Sequence, residues 1–216
     1  ETLHGTSDLK TSACCSGSKR PPNHVAAAIA MVHDEVSSHY YGCGLCVPEL
    51  VAGLTCLDLG CGAGRDVYVL SNLVGESGKV IGVDMTQNQL DIATKFVSYH
   101  TDLFGYSRPN VDFRKSLIED LSASVATESV DLIVSNCVVN LSPDKDSVLR
   151  EAFRVLKRGG EMYFSDVYSD RRIPAELMKD PVLHGECLSG AMYWNDFLRA
   201  AKRAGFADPR LVEDRP

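Results

Sequence analysis

Residues 55–64 read Thr-Cys-Leu-Asp-Leu-Gly-Cys-Gly-Ala-Gly, an apolar run that leads into three glycines spaced two apart. The apolar run predicts a buried strand over residues 55–59, and the glycines allow the backbone to turn close to a ligand before a helix begins. Asp84 follows the next apolar run, 20 residues beyond Gly64. An acid at the end of that second strand can hold two ribose hydroxyls. The segment therefore indicates a nucleoside site, although a tight turn with a capping role for Asp84 would also explain it.

The rest of the chain continues this alternation of short apolar runs and longer amphipathic stretches. Strands that alternate with helices of roughly 10–15 residues favour a parallel sheet with helices on both faces. We therefore predict an α/β fold with a doubly wound, mostly parallel sheet. The predicted strands are 55–59, 79–84, 111–114, 130–135 and 161–166, with a sixth beginning at 210–213, and the predicted helices are 25–40, 65–73, 85–104, 146–157 and 194–204.

The length and charge of the chain limit its possible classes. It has 216 residues, and 22 Lys and Arg against 29 Asp and Glu give a formal net charge of −7. This acidic balance argues against a duplex nucleic-acid partner, which would favour a basic face. The longest apolar stretch, residues 25–32, is far shorter than the ~20 residues that cross a bilayer, and the first residues lack the features of a secretory signal. We expect a cytoplasmic monomer that binds neither membranes nor nucleic acid.

The pattern of the sequence divides the chain into three parts. Residues 1–22 are rich in Ser, Gly and Lys, and we expect a flexible arm that carries Cys14 and Cys15. Residues 23–167 are the predicted α/β domain. Residues 168–216 are the third part, with an irregular stretch over 168–192 followed by the predicted helix at 194–204 and the candidate strand at 210–213. Because the chain begins at Glu and ends soon after the sixth candidate strand, we expect it to be processed or trimmed.

The glycine motif points to a cationic ligand. It differs from the dinucleotide fingerprint, which has a sixth-position glycine where this chain has Arg65. A negative Asp58, two residues before the first glycine, suits a cation better than a pyrophosphate. Residues 54–166 resemble class I S-adenosylmethionine-dependent methyltransferases, a Rossmann-like fold of seven strands, so the chain is expected to end before the seventh. The resemblance implies cofactor-binding roles for Asp58, Gly60, Cys61, Gly62, Arg65, Asp84, Met85, Ile118, Glu119 and Asn136, with Ile118 and Glu119 near adenine.

Eight cysteines, at positions 14, 15, 43, 46, 56, 61, 137 and 187, are the other unusual feature. Without a sign of secretion we expect thiols rather than a disulfide framework. Cys56 lies in a predicted strand and is expected in the core, and Cys61 is expected to line the cofactor pocket through its backbone. Cys43, Cys137 and Cys187 lie on loops at the pocket side. As a set they suggest a soft, thiophilic centre, although each could also be a packed thiol.

Cys43 and Cys46 also form a C-x-x-C pair. The pair follows a helix and a Tyr-Tyr-Gly turn instead of opening a helix, which argues against a thioredoxin-type role. A structural zinc site would need two more ligands, such as Cys14 and a histidine.

Four segments carry a closer resemblance. They are Tyr-Tyr-Gly-Cys-Gly at 40–44, Ser-Asn-Cys-Val-Val-Asn-Leu at 135–141, Tyr-Phe-Ser-Asp-Val-Tyr at 163–168, and Gly-Glu-Cys-Leu at 185–188 with Ala-Met-Tyr-Trp at 191–194. They resemble the arsenite S-adenosylmethionine methyltransferases, from about Leu9 to the end of the chain. The resemblance implies that residues 23–167 bind S-adenosylmethionine and that residues 168–216 are an arsenic-binding segment and the start of the C-terminal part, with the family's C-terminal region expected to be absent. The resemblance implies catalytic roles for four cysteines, Cys14, Cys43, Cys137 and Cys187. Cys14 fits the arm position better than Cys15, and Cys46 is extra.

This resemblance implies methyl transfer from S-adenosylmethionine to thiol-bound trivalent arsenic, a detoxification reaction. Cys137 and Cys187 would bind arsenic most directly, with Cys43 as the third ligand for arsenite, and the arsenic lone pair would be the nucleophile. A disulfide between Cys43 and the thiol of Cys14 would follow the reduction of oxidised arsenic, and thioredoxin or glutathione would restore the dithiol. Tyr41 is expected near the sulfonium, where an aromatic face attracts a cation, or as a hydrophobic wedge.

Two other functions remain open at this point. One is a methyltransferase for an ordinary carbon or oxygen acceptor, with the thiols in the core. The other is a non-catalytic metalloid-binding protein. Three thiols at the pocket argue against the first, and intact cofactor motifs argue against the second.

Overall fold

The computed structural model describes residues 21–42, 46–180, 183 and 187–212. Within this part of the chain, five parallel strands form one sheet in the order β3-β2-β1-β4-β5, and two short parallel strands, β6 and β7, pair separately. The strand order reverses between β1 and β4, and ligands of open α/β sheets bind in the crevice beyond the carboxyl ends at such a point. The strands are β1 (Thr55–Leu59), β2 (Lys79–Asp84), β3 (Val111–Lys115), β4 (Val130–Asn136), β5 (Leu156–Ser165), β6 (Tyr168–Ser169) and β7 (Met192–Tyr193).

Helices connect these strands. Among the described residues, none of the helices combines the length and the hydrophobicity that a bilayer crossing requires. The helices are α1 (Asn23–Ala30), α2 (Asp34–Ser38), α3 (Arg65–Val74), α4 (Gln87–Lys95), α5 (Val97–Leu103), α6 (Lys145–Val155) and α7 (Trp194–Ala204), with 3₁₀ turns at Val139–Leu141 and Leu177–Lys179.

The sheet has a hydrophobic core on each face, because successive side chains of a strand point to opposite sides. In β1, Cys56 packs in a cluster with Val67 and Leu70 of α3. Its neighbour Leu57 packs in a second cluster with Val148 of α6 and Ile133 of β4. The two clusters hold the carboxyl edge of the sheet between α3 and α6.

The predicted doubly wound α/β fold is confirmed. The strands at 55–59 and 79–84 and the helix at 194–204 have the predicted bounds. Cys56 is fully buried, as expected for a core residue, and burial raises the pKa of its thiol to about 12.

Two predicted helices are each divided in two. The prediction of one helix over 25–40 is wrong, because His33 interrupts it: its Nδ1 accepts a hydrogen bond from the Glu35 N–H and caps α2. The prediction of one helix over 85–104 is also wrong, because the backbone leaves the helical region at Phe96, between α4 and α5. The Phe96 ring stacks on the His33 ring with centroids 3.9 Å apart, so the residues at which the two predicted helices are interrupted contact each other.

The predicted end of the next helix and start of the next strand are also wrong. The structure has α6 passing directly into β5 at Leu156, which pairs with Val130 of β4, and Gly159 and Gly160 lie inside the strand. Gly159 has φ +80°, where the register between β4 and β5 shifts. Residues 210–212 form no strand, contrary to the prediction. Residues 168–192, which were expected to be irregular, contain β6 and the first residue of β7.

Candidate active site

The glycine turn between β1 and α3 lies at the carboxyl edge of the sheet. The N–H groups of Gly60 and Cys61 both donate to the carbonyl of Val83, at 2.9 and 3.0 Å, which ties the turn to β2. Gly60 has φ +72°, and a Cβ there would lie 2.5 Å from Val138. Gly62 has φ +52°, but a Cβ there would meet no atom within 4 Å. Packing therefore requires glycine at position 60, whereas Gly62 leaves its backbone open to a ligand.

The Asp84 carboxylate is held in place at the end of β2. One oxygen accepts a hydrogen bond from the Gly62 N–H at 2.9 Å, and the other accepts from the Thr86 N–H at 2.8 Å. Met85, between them, is 65% exposed. The carboxylate that was predicted to hold a ribose is thus joined directly to the glycine turn.

Three carboxylates lie together at this edge. Burial raises the pKa of Asp58, and the charges of Asp66 and Asp84 raise it further. Burial also raises the pKa of Asp66, although the Arg65 guanidinium, 3.2 Å from its Oδ1, acts in the opposite direction. Among the described residues, the Arg65 guanidinium is the cation paired with these three carboxylates. The carboxylates therefore outnumber the cations, and the site favours a cationic ligand.

A narrow cavity opens beside Asp58 and Asp66. Cys46, which the sequence interpretation treated as an extra cysteine, is one of its lining residues. The lining residues are Cys46, Val47, Asp58, Asp66, Leu70, Val134, Ser135 and Asn136.

Asn136, the last residue of β4, is tied to two residues that the sequence analysis missed. Its Nδ2 donates to the Tyr40 hydroxyl at 2.6 Å and to Oδ2 of Asp66 at 3.3 Å. The Arg65 guanidinium lies 3.7 Å from the centre of the Tyr40 ring. The local sequence signal for Asp66 was its place in the first turn of α3. An acidic residue is common at the start of any surface helix, so this signal did not indicate a site.

Cys137 and Cys187 form a small buried cluster of their own. The Cys187 thiol donates to the backbone carbonyl of Cys137 at 3.1 Å, and the two residues are 0% and 4% exposed, respectively. Tyr41, Leu141 and Val167 pack against the pair. Both cysteines have a positive φ, +55° at Cys137 and +63° at Cys187, a strained conformation for a residue with a side chain and one that clusters at functional sites. The structure thus brings together two of the three predicted arsenic ligands.

The cysteines are not all thiols. Among the cysteines that the structure describes, Cys137 is disulfide-bonded, whereas Cys46, Cys56, Cys61 and Cys187 are thiols. The expectation of thiols throughout is therefore wrong for Cys137. It rested on the compartment, and sequence cannot show which sulfur atoms come within bonding distance.

The end of β5 fixes the loop that carries Cys137. The Cys137 N–H donates to the carbonyl of Ser165 at 2.8 Å. The Asp166 carboxylate accepts from the N–H groups of Asn140 and Val167, each at 3.0 Å. Burial raises the pKa of Asp166 to about 6. These contacts anchor the loop on both sides of the cysteine.

The other predicted site residues lie in different surroundings. The Cys61 side chain packs in the core against Val67, and burial raises its pKa, so this residue contributes its backbone to the turn. Ile118 is buried in the core, and the Glu119 carboxylate accepts from the Ser142 hydroxyl at 2.5 Å. Cys14 and Cys43 lie outside the described residues.

The chain is similar to several known proteins. Residues 50–205 match the family model described as a methyltransferase domain. The arsenite methyltransferase of Aquipseudomonas alcaligenes is 59% identical over 100% of this chain and 62% of its own length. The human arsenite methyltransferase is 49% identical over 98% of this chain and 57% of its own length. The chain thus spans about three fifths of these relatives.

A solved structure is also similar. The crystal structure of an arsenic (III) S-adenosylmethionine methyltransferase from Chlamydomonas reinhardtii superposes with a TM-score of 0.86 and 52% identity. The match covers 90% of this chain and 65% of that one.

Proposed function

Since the chain belongs to the methyltransferase domain family, we propose that it transfers a methyl group from S-adenosylmethionine to thiol-bound trivalent arsenic. The observation that carries the choice of acceptor is the contact between Cys137 and Cys187 beside the glycine turn. Two sulfur ligands at this edge of the sheet suit a soft metalloid acceptor, whereas a carbon or oxygen acceptor would not be bound by thiolates. The similarity to two arsenite methyltransferases supports the same choice.

The described residues fit the proposed methyl donor. S-adenosylmethionine supplies a methyl group on a positively charged sulfonium. Asp84 offers a fixed carboxylate for ribose hydroxyls, and Gly62 leaves its backbone accessible. The buried carboxylates of Asp58 and Asp66 complement the positive charge of the donor, because their own charge is offset only in part by Arg65.

Thiolates are natural ligands for trivalent arsenic. Cys187 and, once reduced, Cys137 would hold the arsenic, with Cys43 as the third ligand for arsenite. Three sulfur ligands leave the arsenic lone pair to form the new arsenic–carbon bond as the carbon–sulfonium bond breaks. No side chain has to remove a proton. The protein would therefore act mainly by holding two centres in line, and the partly buried Tyr41, which packs against the cysteine pair, would help to keep water away.

We also propose that a thiol reductant, glutathione or thioredoxin, takes part in each cycle. The transfer leaves arsenic formally pentavalent, and two thiols can return it to the trivalent state by forming a disulfide. The disulfide at Cys137 supports this proposal, because a sulfur atom in a disulfide cannot bind arsenic as a thiolate until it is reduced.

The test is an incubation of the protein with arsenite, excess thiol and S-adenosylmethionine labelled in its methyl group, followed by separation of the arsenic species. We expect label in methylated arsenicals. Binding of arsenite without any labelled product would favour a metalloid-binding protein. Labelled product from a carbon or oxygen acceptor only would overturn the arsenic assignment.

A further inference from the structure

Cys46 has no role in the proposed transfer, yet it differs from the other thiols in the described part of the chain. It is partly exposed. The other thiols are all buried, namely Cys56, Cys61 and Cys187. Because a thiol can react only where a reagent can approach it, Cys46 is the thiol among them that a small molecule in solution can reach.

Cys46 lies at the wall of the narrow cavity beside Asp58 and Asp66. The next residue, Val47, also lines this cavity, and it packs against the core cluster that contains Leu70 of α3. This packing holds the chain in place beside the cavity. A group attached to Cys46 would therefore be held at the cavity wall.

The cavity also contains a buried polar group that a ligand could satisfy. Asp58 is 3% exposed, and the charges of Asp66 and Asp84 lie close to it. In the part of the chain that the structure describes, its carboxyl group has no hydrogen-bond partner. A buried polar group without a partner is costly, and a molecule that binds beside it would explain it. The surrounding negative charge makes a cationic molecule the best fit.

We propose that Cys46 is a modification site for small cationic disulfides, and that the mixed disulfide formed there obstructs the cavity used by the methyl donor. The positive charge brings the disulfide to Asp58 and Asp66, and Cys46 supplies the sulfur that reacts. The inference rests on S-adenosylmethionine being the donor, and it is independent of the acceptor.

The chemical step is an exchange between a thiol and a disulfide. The Cys46 thiolate attacks one sulfur of the disulfide, so that a new sulfur–sulfur bond forms and the old one breaks. The other half of the disulfide leaves as a thiolate and takes up the proton that Cys46 has lost. Cys46 is oxidised and the departing half is reduced, so no further oxidant is required. An excess of thiol reverses the exchange and reopens the cavity.

The first test asks whether the donor protects Cys46. The protein, with Ser98→Cys added as an internal control at an exposed position of α5, is labelled with iodoacetamide with and without S-adenosylmethionine. Mass spectrometry locates the labels. With the donor at about ten times its dissociation constant, labelling of Cys46 should slow about tenfold, and the introduced thiol should react at an unchanged rate. Equal labelling rates of Cys46 in both samples would overturn the inference.

The second test measures the preference for positive charge. Cystamine and 3,3′-dithiodipropionate are disulfides of similar size and opposite charge. The ratio of their reaction rates should be about tenfold higher at Cys46 than at the introduced thiol, because the cavity carboxylates attract one reagent and repel the other. Both thiols experience the net charge of the protein, so the comparison isolates the effect of the cavity. Equal ratios at the two positions would overturn the choice of a cationic ligand.

The third test is calorimetric titration with S-adenosylmethionine after treatment with cystamine. Wild-type protein should then bind the donor more than about tenfold more weakly, and dithiothreitol should restore the affinity. Cys46→Ser removes the reacting thiol, so cystamine should leave the affinity of this variant at its own untreated value. Unchanged affinity in wild-type protein that carries the adduct at Cys46 would contradict the proposal. If Cys46→Ser does not fold, the protection of Cys46 by the donor decides the question.

Failure of this inference is distinguishable from failure of the proposed function. A protein that binds S-adenosylmethionine but leaves arsenite unmethylated would overturn the choice of acceptor, and all three tests of Cys46 would still apply. If the protein does not bind S-adenosylmethionine, the choice of donor is wrong and obstruction of its cavity with it. The rates with the two charged disulfides, measured without the donor, would still show whether Cys46 lies in a site that selects cations.

Discussion

The Cys187 thiol donates a hydrogen bond to the backbone carbonyl of Cys137 across 3.1 Å, although 50 residues separate them in the chain. Both residues have a left-handed backbone. For residues with a Cβ this conformation costs about 1–2 kcal/mol each, so the surrounding loops must enforce it. The fold therefore gives up some stability to place these two residues against each other, and strained backbone of this kind clusters at functional sites.

We expect Cys137→Ser and Cys187→Ser each to abolish methylation of both arsenite and monomethylarsenite. Serine offers a hard oxygen in place of a soft thiolate. Replacement of Cys43 or Cys14 should be selective, because monomethylarsenite already has one valence filled by carbon and needs only two thiolates. Those variants should lose the first methylation and keep the second for at least one turnover. The measurement is the distribution of arsenic species with excess thiol.

Cys56→Ala is the control for this series. Cys56 is fully buried in the core cluster beneath α3, so its replacement should lower stability by about 1 kcal/mol and leave both methylations intact. Retention of either activity in Cys137→Ser would contradict the arsenic-ligand assignment.

Gly190→Ala tests the close contact between the loop after Cys187 and the turn after Cys137. A Cβ at Gly190 would lie 2.0 Å from the carbonyl oxygen of Asn140, so the loop after Cys187 must move away from the turn that follows Cys137. A displacement of about 1 Å at a reacting centre can lower the rate about a hundredfold. We expect such a loss in arsenite methylation with unchanged affinity for S-adenosylmethionine. Wild-type methylation by this variant would show that the loops tolerate separation.

Asp84→Ala tests the ribose site. The variant removes a carboxylate whose two oxygens hold the Gly62 and Thr86 N–H groups. We expect S-adenosylmethionine binding to weaken by ~1–3 kcal/mol, the range for hydrogen bonds to a charged group. Titration calorimetry is the measurement, with Asp91→Ala, on the exposed face of α4, as the control. An affinity unchanged in Asp84→Ala would exclude the predicted role.

Much of the fold could be predicted because its signals are local. The strand at 55–59 and the three glycines are contiguous, and the periodicity that places α7 lies within the helix itself. The interruption at His33 was not predictable in the same way. It depends on a cap made by the His33 ring and on stacking against Phe96, a residue far along the chain.

The candidate site shows the same limit. The cysteines were selected from the sequence through the family resemblance, with the softness of thiolates as the chemical reason, and their role stays a prediction. Asp66 could not, since its partner Asn136 lies 70 residues away and only the sheet brings them together. The disulfide at Cys137 escaped prediction for the same reason.

Gly62→Ala separates ligand access from backbone strain. Gly62 and Gly75 have positive φ values, +52° and +76°, and at neither would a Cβ meet another atom within 4 Å. Gly62→Ala should therefore lower stability by about 1–2 kcal/mol through strain alone, and Gly75→Ala by about 1–3 kcal/mol, because its ψ of 177° lies in a region that is open essentially only to glycine. Gly75 follows α3, away from the carboxyl edge of the sheet, so only Gly62→Ala should weaken S-adenosylmethionine binding. Equal affinities in the two variants would place the cofactor elsewhere.

Acid should destabilise the protein through His100. This ring is buried and stacked on Tyr68 with centroids 3.6 Å apart; its Nδ1 lies 2.8 Å from the Phe96 carbonyl, and its Nε2 accepts from the His33 N–H. An added proton on Nε2 would abolish that last bond. Burial lowers the pKa of His100 to about 4 from its ordinary value of 6.5, and the nearby His33 contributes to the shift.

Between these two pKa values the unfolded chain binds the proton and the folded chain does not. The free energy of unfolding should therefore be independent of this group above pH 6.5 and fall as the pH drops towards 4, by about 3 kcal/mol in total. Urea unfolding of His100→Gln at several pH values measures the effect. The stability difference between wild type and this variant should shrink by that amount over the same range. His24→Gln, at an exposed position of α1, should keep the wild-type pH dependence. If His100→Gln also keeps the wild-type pH dependence of the free energy of unfolding, His100 is not the group responsible for it.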